Sequence, residues 1–133
     1  MKKHCVVLSG PTVAKDKTLI KGLEETFLVL KNDDNDHIET LLRSRVVDLV
    51  LMEVSASNLS DIELIRNMKA IWRDLAIILV DATGRKLIAK AFEFGVKDVF
   101  KKPYKADLLA ERSKSVIAAL SENSVKVSPV ENR

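Results

Sequence analysis

At 133 residues the chain suits one domain, large enough to build a core without disulfides or a structural metal. Apolar residues make up 47% and charged residues 31%, as in an ordinary soluble globular protein, and no apolar run approaches the length of a membrane span. A net charge of +3 is too small to imply a nucleic-acid partner, and a lone cysteine excludes an internal disulfide, which fits a reducing, cytoplasmic setting.

The first residues, Met1 to Leu8, are basic and then apolar, superficially like a signal peptide. The apolar run stops at Ser9-Gly10-Pro11 with no small-residue cleavage site, so a first β-strand is predicted there. Cys5, inside that strand, reads as a buried structural thiol. Leu19, Leu23 and Phe27 have helical spacing, and a weaker strand is predicted over 27–31. Ile38, Leu41 and Leu42 mark a second helix, and the run Leu49-Val50-Leu51-Met52 a strand buried on both faces. Ser60-Asp61 with Glu63 suits a helix start, and Ile65, Met68 and Trp72 carry the stripe of that helix. Ala76 to Val80 is a further unbroken apolar strand. Leu87, Ile88, Ala91 and Phe92 predict a fourth helix stopped by Gly95, followed by a strand over 97–101 and a helix over about 104–120.

Every strand is thus followed by a helix, which predicts an α/β doubly wound (βα)5 fold: a five-stranded parallel sheet with helices on both faces. Residues 1–121 form the expected domain. Residues 122–133 read as a polar, frayed tail or the start of a linker. In such a sheet the functional crevice lies at the carboxyl ends of the strands. The positions there are Ser9 and Gly10, Glu53, Val80 and Asp81, and Lys101-Lys102-Pro103.

Two of these segments resemble a known family. Asp48-Leu49-Val50-Leu51-Met52-Glu53 resembles the strand that ends in the phospho-accepting aspartate of response-regulator receiver (CheY-like) domains. Gly95-Val96-Lys97-Asp98-Val99-Phe100-Lys101-Lys102-Pro103-Tyr104 is similar to their Gly-Ala-x-Asp-Tyr-x-x-Lys-Pro-Phe segment. The resemblance covers about residues 4–120 and implies a flavodoxin-like fold in two-component or phosphorelay signalling, a signalling module and not an enzyme. The chain departs from the family at most positions of the phosphorylation pocket. The two Mg²⁺-holding acids become Ser9 and Gly10, and the acceptor aspartate becomes Glu53. The hydroxyl residue ending strand 4 is Val80, followed by Asp81, and the switch aromatic is Val99. Ser57 and Asp61 replace the proline and glycine of the loop after the acceptor. Lys102 alone keeps its chemistry.

Phosphoryl transfer to a carboxylate needs Mg²⁺ to neutralise charge between anionic donor and acceptor, and Mg²⁺ wants several oxygen ligands. With Ser9 and Gly10 in place, Mg²⁺ binding and phosphorylation are expected to be lost and no other cofactor or metal is implied. Glu53 and Lys102 are expected to form a charge-assisted pair, either as a locked signalling state or as an inert structural contact. The resulting expectation is a pseudo-receiver that acts as a phosphorylation-independent protein-interaction module. The alternative is a phosphoacceptor that uses Glu53 or Asp81. A flavin binder is disfavoured by the lack of a Gly-rich first loop and of aromatics near the strand ends.

From Gly84 to Lys114, nine basic residues oppose four acidic ones, so the positive charge gathers on helix 4, strand 5 and helix 5. Lys86, Lys90, Lys101 and Lys105 on that face are the candidate contacts for an acidic protein partner: a sensor kinase, an output domain or a second copy as a homodimer. No membrane contact is implied. Nucleic acid is disfavoured because no recognition helix, basic arm or stacking aromatics accompany the charge. Ser9 to Thr18 resembles a phosphate-binding loop only loosely, lacking its second glycine. Asp33-Asp34-Asn35-Asp36-His37 lacks the glycine and distal glutamate of a calcium loop, so an acidic helix cap is predicted. His4 and His37 form no catalytic or metal set.

Overall fold

A computed structural model of the chain describes residues 3–54, 59–81 and 85–130. Strands and helices alternate along it: β1 Cys5–Ser9, α1 Lys17–Glu24, β2 Leu28–Asn32, α2 Ile38–Ser44, β3 Leu49–Val54, α3 Leu59–Ile71, β4 Ala76–Asp81, α4 Arg85–Glu93, β5 Asp98–Lys101 and α5 Ala106–Val130. Single 3₁₀ turns, Val13–Lys15 and Asn35–His37, lead into α1 and α2. The strands pair in parallel in the order β2-β1-β3-β4-β5, as the alternation predicts. The strand order reverses direction at β1, beside β3, and there the crevice opens above the strand ends.

Side chains of successive strand residues point to opposite faces, so a central strand must be apolar throughout. Val6, Leu8, Leu49, Leu51, Ile78 and Val80 face one layer, closed by Leu19 and Leu23 of α1 and Leu109, Ala110 and Ile117 of α5. Val7, Val50, Met52, Ile77 and Leu79 face the other, closed by Ile38 and Leu42 of α2, Ile65 and Met68 of α3 and Ala91 of α4. β5 is an edge strand, and its residues are half-buried or exposed.

Three expectations shift. α1 stops at Glu24, and Phe27 reaches the core from beyond the helix, with its N–H bonded to Leu23 O at 2.8 Å. Phe92, placed on the buried stripe of α4, is 47% exposed, because Ala91 and Phe94 turn to the sheet instead. The backbone of the expected polar tail runs on as helix to Val130: neither glycine nor proline interrupts it between Leu120 and Pro129. No helix among the described residues is long and apolar enough to cross a membrane.

Gly95 ends α4 with φ +98°, the left-handed conformation that glycine reaches without strain. Next to it, Lys69 Nζ donates to Arg73 O (2.9 Å) and Leu75 O (2.7 Å), closing the end of α3.

Leu51 and Met52 are neighbours on β3 that fill opposite layers. Leu51→Ala and Met52→Ala are each expected to cost about 2–5 kcal/mol in urea unfolding. Lys101→Ala on the exposed edge should change stability by less than about 0.5 kcal/mol. A mild effect at either core position would show that one face of β3 is not packed.

Candidate functional site

Glu53, one residue from the end of β3, stands in register with Val80 of β4 and is 7% exposed. A buried carboxylate must find donors or a cation to remain charged. It finds both by bending over Gly10, immediately after β1. Oε1 accepts hydrogen bonds from Thr12 N (2.8 Å) and Val13 N (3.0 Å). These are donors at the start of the Val13–Lys15 turn, where no intrahelical carbonyl is available to them. Oε2 accepts from Lys102 Nζ, which the loop after β5 turns inward.

Gly10 is a condition of this arrangement. Its φ of +135° is a conformation L side chains rarely adopt, and a Cβ there would stand 2.6 Å from Glu53 Oε1 and closer still to Glu53 Cβ. Burial pushes the Glu53 carboxyl up. The hydrogen bonds from Lys102, Val13 and Thr12 together outweigh that, holding it below its ordinary 4.5.

A layer of neutral groups closes the β1–β2 side of the crevice. Ser9, fully buried, donates from Oγ to Asn35 Oδ1 (2.7 Å) and accepts from Asn32 Nδ2 (3.0 Å). Asn35 Nδ2 donates to the Glu53 carbonyl (2.8 Å) and lies 3.5 Å from Asp61 Oδ1 of α3. On the other side, Tyr104 OH donates to Asp16 Oδ2 (2.6 Å), and Asp16 Oδ1 caps α1 by accepting from Leu19 N (3.1 Å). Burial and the Asp16 carboxylate push the Tyr104 phenol well above its usual range.

The structure therefore brings Ser9, Gly10, Glu53 and Lys102 together. Val80 lies fully buried in the core layer, and Asp81 is the last residue of β4, with its side chain outside the described residues. Val99 is half-buried against the α2–α3–α4 layer, whereas Phe100 packs on the other face. Ser57 and residues 82–84 also lie outside the described residues.

Asn35 was read only as part of an acidic cap. Asp34 does cap there, accepting from Asp36 N at 3.0 Å, but Asn35 enters the crevice. The signal was its place just past β2, which pairs with β1 so that Asn32 faces Ser9. Thr12 and Val13 act through backbone N–H groups, which residue identity does not announce. Among the described residues no cluster of three or more His, Cys, Asp or Glu side chains is disposed to hold a metal.

Lys90 on α4, Lys101 on β5 and Lys105 just before α5 are exposed, while the Lys86 side chain lies outside the described residues. Lys90 Nζ stands 6.0 Å from the Phe94 ring centre, and Arg112 is paired with Asp98 at 2.7 Å.

The sequence matches the response regulator receiver domain family over residues 13–114, and the chain belongs to that family. No curated protein matches it. Among solved structures it is similar to a response regulator from Thermotoga maritima, with 25% identity and a TM-score of 0.74 over 87% of this chain and 98% of that one. HP1043, an orphan response regulator of H. pylori, is 21% identical with a TM-score of 0.75, over 86% and 96% of the two chains. An atypical orphan response regulator, described as having a phosphorylation-independent regulatory mechanism, is 20% identical with a TM-score of 0.73, over 86% and 95%.

A carboxyl held below 4.5 in the fold contributes stability that is present above the unfolded value and lost as pH falls through the folded value. Wild type should therefore exceed Glu53→Gln in urea midpoint at pH 7, and the gap should narrow as the pH is lowered through 4.5 and beyond. A gap independent of pH would mean that the carboxylate is not held ionised by its partners.

Proposed function

We propose that this receiver domain is not phosphorylated and works as a phosphorylation-independent protein-interaction module, its pocket held in one state by Glu53 and Lys102. The observation that carries this reading is the full engagement of the Glu53 carboxylate. One oxygen serves Thr12 and Val13, and the other serves the Lys102 ammonium.

Phosphorylation in this family implies Mg²⁺, and the residues at hand do not fit it. Mg²⁺ takes oxygen ligands in near-ideal octahedral geometry, usually with one or two carboxylates. Here the two family acids are Ser9 and Gly10. The Ser9 hydroxyl is engaged by two amides, and a cation beside Glu53 would meet the Lys102 ammonium. No phosphorylation step is derived through it. Both Glu53 oxygens already accept from N–H groups, which draws electron density away from any attack on a phosphoryl donor.

With the pocket closed, contact with partners falls to the surface of α4, β5 and α5. Lys90, Lys101 and Lys105 are exposed there, and Phe92 and Leu108 on the two helices are 47% and 53% exposed. Exposed cations beside apolar side chains suit an acidic protein partner: a sensor kinase, an output domain or a second copy. Lys102 is withdrawn from this surface by Glu53, and Arg112 is neutralised by Asp98.

The test is intact mass after incubation with Mg²⁺ and acetyl phosphate. An unchanged mass is the expected result. Addition of a phosphoryl group that disappears in Glu53→Gln or Asp81→Asn would establish a nonstandard acceptor and overturn the reading.

A further inference from the structure

We infer that the end of the sheet opposite the Glu53 pocket is a second interaction surface, a basic-rimmed apolar groove that takes an acidic peptide segment carrying a large apolar side chain. The inference is independent of the pocket's chemistry: the groove begins at Asp48, and Glu53 lies about 16 Å farther along the chain of β3.

The groove lies between the α2–β3 and α3–β4 connections, a cavity of about 660 Å³ from Leu42 to Asp48 on one side and from Ile71 to Leu75 on the other. A second hollow of about 750 Å³ adjoins it through Arg45, Val46 and Asp48 and reaches Leu28 and Lys3. Val46 is 83% exposed, the highest of the large exposed apolar side chains described, and Ile71 and Leu28 on the same end of the sheet are 50% and 44% exposed. Trp72, half-buried, forms part of the wall with the Arg43 guanidinium 5.7 Å from its ring centre. Val46 borders both hollows, with Ile71 and Trp72 lining the first and Leu28 the second, so an apolar anchor seated in the first would rest on Val46, Ile71 and Trp72.

The charges at the rim select the partner. Among the described residues no carboxylate lies within ion-pair distance of Arg43, Arg45 or Arg73, whereas Lys102, Arg112 and Lys114 all have acidic partners. Asp48 is engaged internally, accepting from Cys5 N at 2.8 Å and lying 3.3 Å from His4. Guanidinium groups bind carboxylates through two parallel N–H donors, so three unpaired arginines around an apolar hollow match aspartates or glutamates flanking a large apolar residue. A flat anionic bilayer fits less well, because the lining is drawn around a hollow between two connections and does not form a flat face.

The experiment titrates the ¹⁵N-labelled full chain with a capped Glu-Asp-Leu-Phe-Asp-Glu peptide and follows backbone amide shifts. Saturable shifts concentrated at 43–48 and 71–75 are expected. Binding should weaken about tenfold or more in an Arg45→Glu/Arg73→Glu variant and in Val46→Ser, a change on an exposed side chain that leaves the core intact. Replacing Leu-Phe in the peptide by Ser-Ser should weaken it similarly, and Lys90→Glu/Lys105→Glu should leave it unchanged. Shifts confined to α4, β5 and α5, or affinity indifferent to both groove variants, would overturn the inference. So would sedimentation of the chain with anionic phosphatidylserine vesicles when the peptide produces no shifts.

Discussion

One carboxylate organises the crevice end of this sheet. Glu53 reaches across from β3 to the backbone after β1 and to the side chain after β5, so three separated segments close on one buried charge. Each contact is charge-assisted, and together they outweigh the cost of burial, as the lowered carboxyl shows. The arrangement also fixes its neighbours. Gly10 must lack a side chain, because Glu53 fills the space a Cβ would enter. At Gly10 the chain leaves the space that Glu53 occupies. Gly10 and Glu53 are therefore one feature seen at two positions.

A receiver switches because its pocket is bistable: a modified acceptor draws one set of side chains inward and releases another. Here the parts that would respond are apolar and packed. Val80 is fully buried and Val99 half-buried, and neither has a side-chain donor or acceptor with which to follow a change at Glu53. The tether from Tyr104 to Asp16 adds a further brace, linking the segment after β5 to the cap of α1.

The fold was readable because central parallel strands must be apolar on both faces, which makes runs such as Leu49 to Met52 hard to place elsewhere. The Glu53–Lys102 pair was readable too, since both residues fall at strand ends on the crevice side. What escaped was contact made without a telling side chain or through a long loop. The Thr12 and Val13 N–H groups are backbone donors, and Asp16 and Tyr104 lie 88 residues apart in sequence. Asn35 was masked by the acidic residues around it. Phe92 shows the limit of periodicity: of the neighbours Ala91 and Phe92 on the predicted stripe, Ala91 is fully buried and Phe92 is 47% exposed.

The two ends of the sheet treat charge in opposite ways. Inside the crevice at the carboxyl end, Lys102 is consumed by Glu53 and the polar groups of Ser9, Asn32 and Asn35 satisfy one another, while Lys101 and Lys105 stay exposed outside it. At the amino end Arg43, Arg45 and Arg73 have no acidic partner among the described residues, beside apolar side chains the core does not cover. Unpaired guanidinium groups and exposed valine or isoleucine give the isolated domain little stability, since water already solvates the former and the latter bury no area. Their value is realised only when something else covers them. Internal satisfaction at one end and unsatisfied recognition groups at the other are what a domain would carry if binding, in place of chemistry, had become its task.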